Sequence, residues 1–369
     1  MTRELNRDDD ISSFWSLPAK PDRLLELSKL RKQALSWFAV LAFLFGGPDL
    51  RAIGLVWPTP NPSWLEGRAL EDFVQPAASG RTESALFGCT RTGGTRFHEG
   101  IDLKPLQRDR RGEALDAVFA VMGGRVLHAN RTPWHSSYGN YVVIEHTAVS
   151  PRVISLYAHL ASIDDAVVAG RTVVSGQRIG VMGRSAGGYT IPAARAHLHF
   201  ELGLWLSEAF QDWYDSMNYE SPNRHGVMSG FNIVGFDPLD FYDRYRAGEV
   251  RDFSDYLRRE PVAFTVRVAS ERVPDFVIRY PVLLEGDLPE MGVSGWEIDF
   301  TWYGLPKRWR PLAGEIDSPG GSFPVKVVSF DADIVAANTC RPTVSVSGGT
   351  PRIGSHTERV LRILFALYE

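Results

Sequence analysis

Cysteine is nearly absent: Cys89 and Cys340 are the only two in 369 residues. Two thiols exclude a disulfide framework and a thiolate zinc cluster. Any transition metal must then rely on imidazole and carboxylate ligands. A single bridge between the pair fits the sequence without being specified by it. Long runs of one charge are missing too, with 23% charged residues and a net charge of −4, and this removes nucleic acid from the expected partners. No lysine occurs between Lys104 and Lys307. No apolar run reaches the roughly 20 residues that cross a bilayer. The nearest, Ala34 to Phe45 behind Lys29, Arg31 and Lys32, has the apolar length of a secretory signal. The polar leader from Met1 to Ser28 is longer than signals carry, so a buried helix is the alternative to export or membrane anchoring.

With 44% hydrophobic residues, the chain can bury a core, and its length suggests two folded units plus connections. Pro58, Pro60 and Pro62 mark an extended linker. From Ala117 onward, short β-rich runs alternate with glycines: Val118–Val121, Arg125–His128, Tyr141–His146, Val153–His159, Arg178–Met182 and His197–Leu202. Close spacing, with turns at Gly123-Gly124, Gly139-Asn140 and Gly187-Gly188, predicts an antiparallel β core without helical crossovers. Helix is expected over 207–216 and 238–256, and alternation returns from Pro261. The expected fold is mainly β, with flanking helices. Its expected divisions are an N-terminal segment (1–56), a core domain (57–250) and a small C-terminal β domain (251–369).

Histidine is where chemistry concentrates. In "TRFHEGIDL", His98 and Asp102 lie four apart, one helical turn if helical, but Gly93, Gly94 and Gly100 favour a loop entering a strand. In "AHLHFEL", the two-residue period of a strand puts His197 and His199 on one face with Glu201, and Leu198, Phe200 and Leu202 on the other. A solvated pair of strand histidines is the bland alternative. His159 lies in a third run, "SLYAHL". Alone, it reads as structural. His128, His135, His225 and His356 lack partners at ligand spacing, and His146 reads as a structural hydrogen-bonding residue.

The segments "FHEGIDL", "YGNYVVIEH", "SLYAHL", "VVSGQRIGVMG" and "AHLHFEL", in this order, resemble the M23 family of zinc metallopeptidases, the LytM and lysostaphin type that cuts peptide cross-links of bacterial cell walls. The resemblance spans 97–202. It implies that His98, Asp102 and His199 hold Zn2+, and that His159 and His197 are catalytic. One would orient or deprotonate the water and the other would stabilise the tetrahedral intermediate, with no basis for saying which. Three N and O ligands leave a fourth position open, as catalytic rather than structural zinc requires. Glu99, Glu145 and Glu201 are candidates for orienting roles; no His-Glu-x-x-His motif occurs. The stretch 187–196 is longer than the family's usual approach to its last motif and bears on the groove rim, where Trp134 and Tyr189 are candidate lining residues.

The implied function is hydrolysis of peptidoglycan stem or cross-bridge peptides, outside the cytoplasmic membrane. A non-catalytic module that binds wall or activates a hydrolase is the alternative, disfavoured because every expected ligand is present. A biotinyl or lipoyl carrier, suggested by the glycine-punctuated stretch 167–180, is excluded by the missing lysine.

Overall fold

In a computed structural model that describes residues 53–368, the expected strands form in the expected order. The apolar run 34–45 lies outside the described residues. A first hairpin, β1 (Gly88–Arg91) and β2 (Arg96–His98), leads into β3 (Ile101–Leu103). There follow β4 (Ala117–Phe119), β5 (Gly124–Asn130), β6 (Asn140–Glu145), β7 (Ile154–Leu160), β8 (Ser162–Ile163), β9 (Thr172–Val173), β10 (Arg178–Val181), β11 (Leu198–Trp205) and β12 (Ile233–Phe236). The central sheet runs β12-β11-β7-β6-β5-β9, and a smaller sheet runs β4-β10-β8. All these pairings are antiparallel, as short strands joined without crossovers require.

One edge of β11 is shared by two strands: β3 pairs with Leu198–Phe200, and β12 with Leu202–Trp205. β7 takes the other edge. The pleat sends Leu198, Phe200, Leu202 and Leu204 into the main core. The opposite face is also covered, by a second cluster containing Tyr141, Leu156, Ala158, Trp205 and Met228. A strand buried on both faces reads as continuously apolar rather than alternating, so His197, His199 and Glu201 are polar exceptions inside a closed layer. Gly100 is required for this packing: a Cβ there would stand 2.2 Å from the Phe200 carbonyl oxygen.

The helix expected over 238–256 is two helices. Asp237 caps α2 (Pro238–Arg246) through the Leu239 and Asp240 amides, and Asp252 caps α3 (Phe253–Arg259) through the Asp255 amide. Between them Gly248 takes φ 73°, a left-handed residue that ends the first helix. The helix expected over 207–216 is α1, Phe210–Ser216.

Beyond Pro261 an antiparallel sheet forms in the order β15-β14-β13-β16, from β13 (Phe264–Ala269), β14 (Gly295–Phe300), β15 (Pro306–Leu312) and β16 (Val325–Phe330). The segment is not β throughout. It also carries α4 (Asp275–Arg279), α5 (Ala332–Ala337) and α6 (Ser355–Phe365). In α6 the buried Val360, Leu361, Ile363, Leu364 and Phe365 follow the helical spacing that the alternation of neighbouring strands obscures. The described residues all fall in one compact unit. None of their helices is long and apolar enough to cross a membrane.

Two contacts fasten the C-terminal segment to the hairpin that carries His98. Cys89 in β1 is bonded to Cys340, with Cα atoms 5.5 Å apart and 251 residues between them in sequence. Beside it, Phe87 and Phe97 pack edge-on against Trp302, and Phe87 also against Tyr303, at centroid distances of 5.3–6.2 Å. Such aromatic pairs contribute about 0.5–1.5 kcal/mol each beyond their buried area. Replacing Cys89 and Cys340 with serine is expected to lower unfolding free energy by about 2–5 kcal/mol. Chemical denaturation of the oxidised protein beside the double variant measures this, and coincident curves would show that the bond stabilises nothing.

Candidate metal centre

The register of three strands brings the first-motif and last-motif residues together. His199 pairs with Asp102 across β11 and β3, and with Ala158 across β11 and β7. His98 ends β2, and the tight turn through Glu99 and Gly100 returns the chain into β3. Three atoms converge: His98 Nε2 to Asp102 Oδ1 is 3.1 Å, His98 Nε2 to His199 Nδ1 is 3.0 Å, and His199 Nδ1 to Asp102 Oδ1 is 3.0 Å. His98, Asp102 and His199 are 4%, 1% and 5% exposed, which rules out the solvated-pair alternative. They are the one group of three metal-ligating side chains found among the described residues.

The outward nitrogens of both rings are already engaged. His98 Nδ1 donates to the Leu86 carbonyl at 2.8 Å, and His199 Nε2 donates to Glu201 Oε1 at 2.8 Å. Glu201 is itself held by the Tyr138 hydroxyl at 2.6 Å. These bonds direct His98 Nε2 and His199 Nδ1 at one another and at a carboxylate oxygen, where the Arg91 guanidinium and a proton on His199 hold the group together; a metal ion entering among them would take the place of that proton. The donor set fits zinc. Two imidazoles and a carboxylate are its ligands in catalytic sites, and bonds of about 2.0–2.2 Å imply ligand–ligand edges of about 3.3–3.6 Å, close to those observed. Carboxylate and carbonyl acceptors on the far ring nitrogens are the outer partners such ligands use to fix their tautomers.

Electrostatics agree with a site built for positive charge. Burial would raise the Asp102 carboxyl, but the neighbouring His197 and His98 and hydrogen bonds from His199 and His98 hold it well below the usual range. Burial alone would lower His199; the hydrogen bonds to Asp102 and Glu201 outweigh it and raise its pKa to about 10. Arg91, which the sequence reading missed, donates to Asp102 Oδ2 and, at 2.8 Å, to His98 Nε2. Only its place in β1, opposite Arg96 in the pairing with β2, brings it here. Tyr138 was missed too, being a loop residue whose partner is 63 positions away.

His159 and His197 stand beside this cluster, with ring centroids 4.8 Å apart; the His159 centroid is 5.9 Å from that of His199. His159 adopts φ 60° at the end of β7, a left-handed conformation that costs a non-glycine residue about 1–3 kcal/mol. Its Nδ1 is pinned to the Ser185 carbonyl at 2.8 Å, so Nε2 is unprotonated. Burial, reinforced by His197 and His199, holds its pKa well below 6.5. His197 Nδ1 donates to the Arg195 carbonyl at 2.7 Å, and Nε2 lies 3.4 Å from Asp102 Oδ2. Burial lowers its pKa while Asp102 opposes the shift.

The remaining candidates lie apart from the centre. His146 bridges the Gly123 carbonyl and Ser155, with burial taking its pKa to about 4. His128 packs against Tyr141 with the rings tilted and meets His225 at 3.4 Å, and His225 binds the His135 carbonyl. His356 is buried against Gly304. Glu99 pairs with Arg341 rather than with a ligand histidine, and Glu145 ends β6. The long stretch 187–196 lies over the rim: Tyr189 reaches the Ser137 carbonyl and packs edge-on at 6.4 Å from His159, and Gly187 donates to Ser136. Trp134 is 74% exposed on the facing loop.

Residues 96–209 match the model of peptidase family M23. The resemblance drawn from 97–202 thus holds over nearly the same stretch, and the match supports a peptidase role. No curated protein matches the chain. Among solved structures, the chain is similar to a zinc-containing peptidase from Vibrio cholerae, with 30% identity over 35% of each chain and a TM-score of 0.24. The chain therefore spans about a third of that protein's length. The catalytic domain of lysostaphin from Staphylococcus simulans shows 20% identity, covering 47% of this chain and 95% of that one at a TM-score of 0.26. A glycyl-glycine endopeptidase of the LytM type from Ruminococcus gnavus shows 20% identity over 63% and 74%, at a TM-score of 0.30.

The His199 proton gives the M23 segment a pH signature. Its folded pKa is raised, so below about pH 10 a cation entering between the three ligands displaces one proton. Zinc affinity is therefore expected to rise about tenfold per pH unit from 6 to 8. Glu201→Gln should weaken it by about 10–100-fold. Competition against a chromophoric chelator reads both; an affinity flat in pH, or unchanged in the variant, contradicts this arrangement.

Proposed function

We propose that this chain is a zinc-dependent endopeptidase that hydrolyses stem or cross-bridge peptides of bacterial peptidoglycan. The single observation that carries the reading is the convergence of His98 Nε2, Asp102 Oδ1 and His199 Nδ1 within 3.1 Å of one another, with both imidazoles oriented from behind. A zinc ion held there supplies Lewis acidity and lowers the pKa of a coordinated water toward ~7. The protein supplies proton handling. His159, its Nδ1 on the Ser185 carbonyl and its ring centroid 5.9 Å from that of His199, has an unprotonated Nε2 and serves as the proton acceptor. His197, whose Nε2 lies 3.4 Å from Asp102 Oδ2, is assigned the oxyanion-stabilising role, in which it would act once protonated; Asp102 works toward that form against the lowering effect of burial.

Peptidoglycan as substrate rests on the family, and location outside the cytoplasmic membrane follows from where the polymer lies. The Cys89–Cys340 bond supports that location, since such bonds persist in oxidising compartments. Membrane anchoring through 34–45 belongs to the same proposal. The function test is digestion of purified peptidoglycan with and without a chelator, with products read by mass spectrometry. New peptide termini should appear, and vanish with chelator or with His98→Ala. His159→Ala should retain zinc while turnover falls by about 10²–10⁴-fold. Unchanged muropeptides across several wall chemotypes would overturn the substrate, and zinc loss in His159→Ala would overturn the division of roles.

A further inference from the structure

A cavity of about 700 Å3 adjoins the metal centre, with Tyr138 and Glu201 in its wall. This is within the usual size range of ligand pockets, about 300–1,000 Å3. Its floor comes from the M23 segment, including Phe97 and Glu99, while Arg341 and Arg359 enter from the C-terminal segment and Arg224 from the loop before β12. Arginines outnumber carboxylates, because Arg96 also lines it and the only acids in its wall are Glu99 and Glu201. Both acids are engaged: Glu201 with Tyr138 and His199, and Glu99 with Arg341 at 3.4 Å.

Each of the two C-terminal arginines is held by its own contacts. Arg341 lies over the Phe97 ring at 3.6 Å from the centroid, its Nη1 on the Tyr303 carbonyl, one residue from the Cys89–Cys340 bond. Arg359, on α6, lies 5.3 Å from the Phe231 centroid and donates through Nη2 to His356. Its Nε is buried with no hydrogen-bond partner, and Arg359 makes no ion pair among the described residues. A guanidinium carries five donors and cannot shed its proton in a protein, so burying one without an anion is costly. Burial pulls the Arg341 pKa down to about 10 and that of Arg359 downward. The planar fork is suited to a carboxylate held through two parallel hydrogen bonds.

We infer that this cavity is a binding site for a carboxylate group of a peptide ligand, with Arg359 as its principal cation and Arg341 and Arg224 beside it. The site makes the C-terminal segment part of substrate selection rather than a detached accessory. It rests on the peptidase reading only for the peptide nature of the ligand. Two sources share the chemistry: a free chain terminus and an acidic side chain.

Calorimetric titration of the full zinc-loaded chain with three blocked dipeptides tests the inference. N-acetyl-Ala-Ala carries a terminal carboxylate, N-acetyl-Ala-Glu-amide a side-chain carboxylate, and N-acetyl-Ala-Ala-amide none. At least one of the first two should bind tenfold or more tighter than the neutral amide, and which one does identifies the source. Arg359→Gln should abolish the difference with zinc content unchanged, and Arg224→Gln, at an exposed position, should reduce it. Equal affinity for charged and neutral dipeptides, no binding of any, or a preference untouched in both variants overturns the site. Because binding is read without hydrolysis, a wall digestion that fails while the carboxylate preference persists removes the peptidase reading alone.

Discussion

The pairing of β11 with β3 on one edge and β7 on the other is the constraint on which the rest depends. Antiparallel register sets His199 opposite Asp102, and a slip of one residue would turn His199 into the apolar layer and Leu198 toward the ligands. Register is firm because both faces of β11 are buried: the leucines and Phe200 in the main core, the histidine face on the side of the sheet that carries the second cluster, to which Trp205 of β11 itself belongs. Packing on one face thus determines chemistry on the other. Gly100 belongs to the same constraint, since any side chain there would push β3 away from Phe200.

A second consequence concerns the far end of the chain. β1 and β2 form a short hairpin outside the central sheet, and a two-stranded ribbon is marginal by itself. The C-terminal segment supplies what it lacks: a covalent tie at Cys89, the Trp302 and Tyr303 rings against Phe87, and the Arg341 guanidinium over Phe97. His98 and Arg91 both sit on that hairpin. His98 and the arginine-lined cavity therefore share one set of supports, which couples the candidate metal site to the cavity beside it.

Much of this was legible beforehand, for physical reasons. The six strand runs from Val118 to Leu202 appear within a few residues of their expected bounds because β-branched runs between glycines admit few alternatives. His98, Asp102, His159, His197 and His199 meet because strand period and chain order bring them together. What stayed hidden is tertiary. Arg91 and Tyr138 act through partners distant in space or in loops, Arg341 and Arg359 reach the cavity from a segment that carries no motif, and Gly248 divides a stretch whose spacing alone reads as one helix. The C-terminal helix α6 was obscured by the strand-like alternation before it, and the Cys89–Cys340 pairing depends on a fold that sequence spacing does not encode.

The most direct test of the central claim is X-ray absorption at the zinc edge on the purified full-length protein loaded with one equivalent of metal. A four-coordinate shell of nitrogen and oxygen at about 2.0–2.1 Å, with the multiple-scattering signature of two imidazoles and no sulfur, is the result expected from His98, Asp102 and His199. A six-coordinate, water-rich shell, or one with no imidazole scattering, would contradict it.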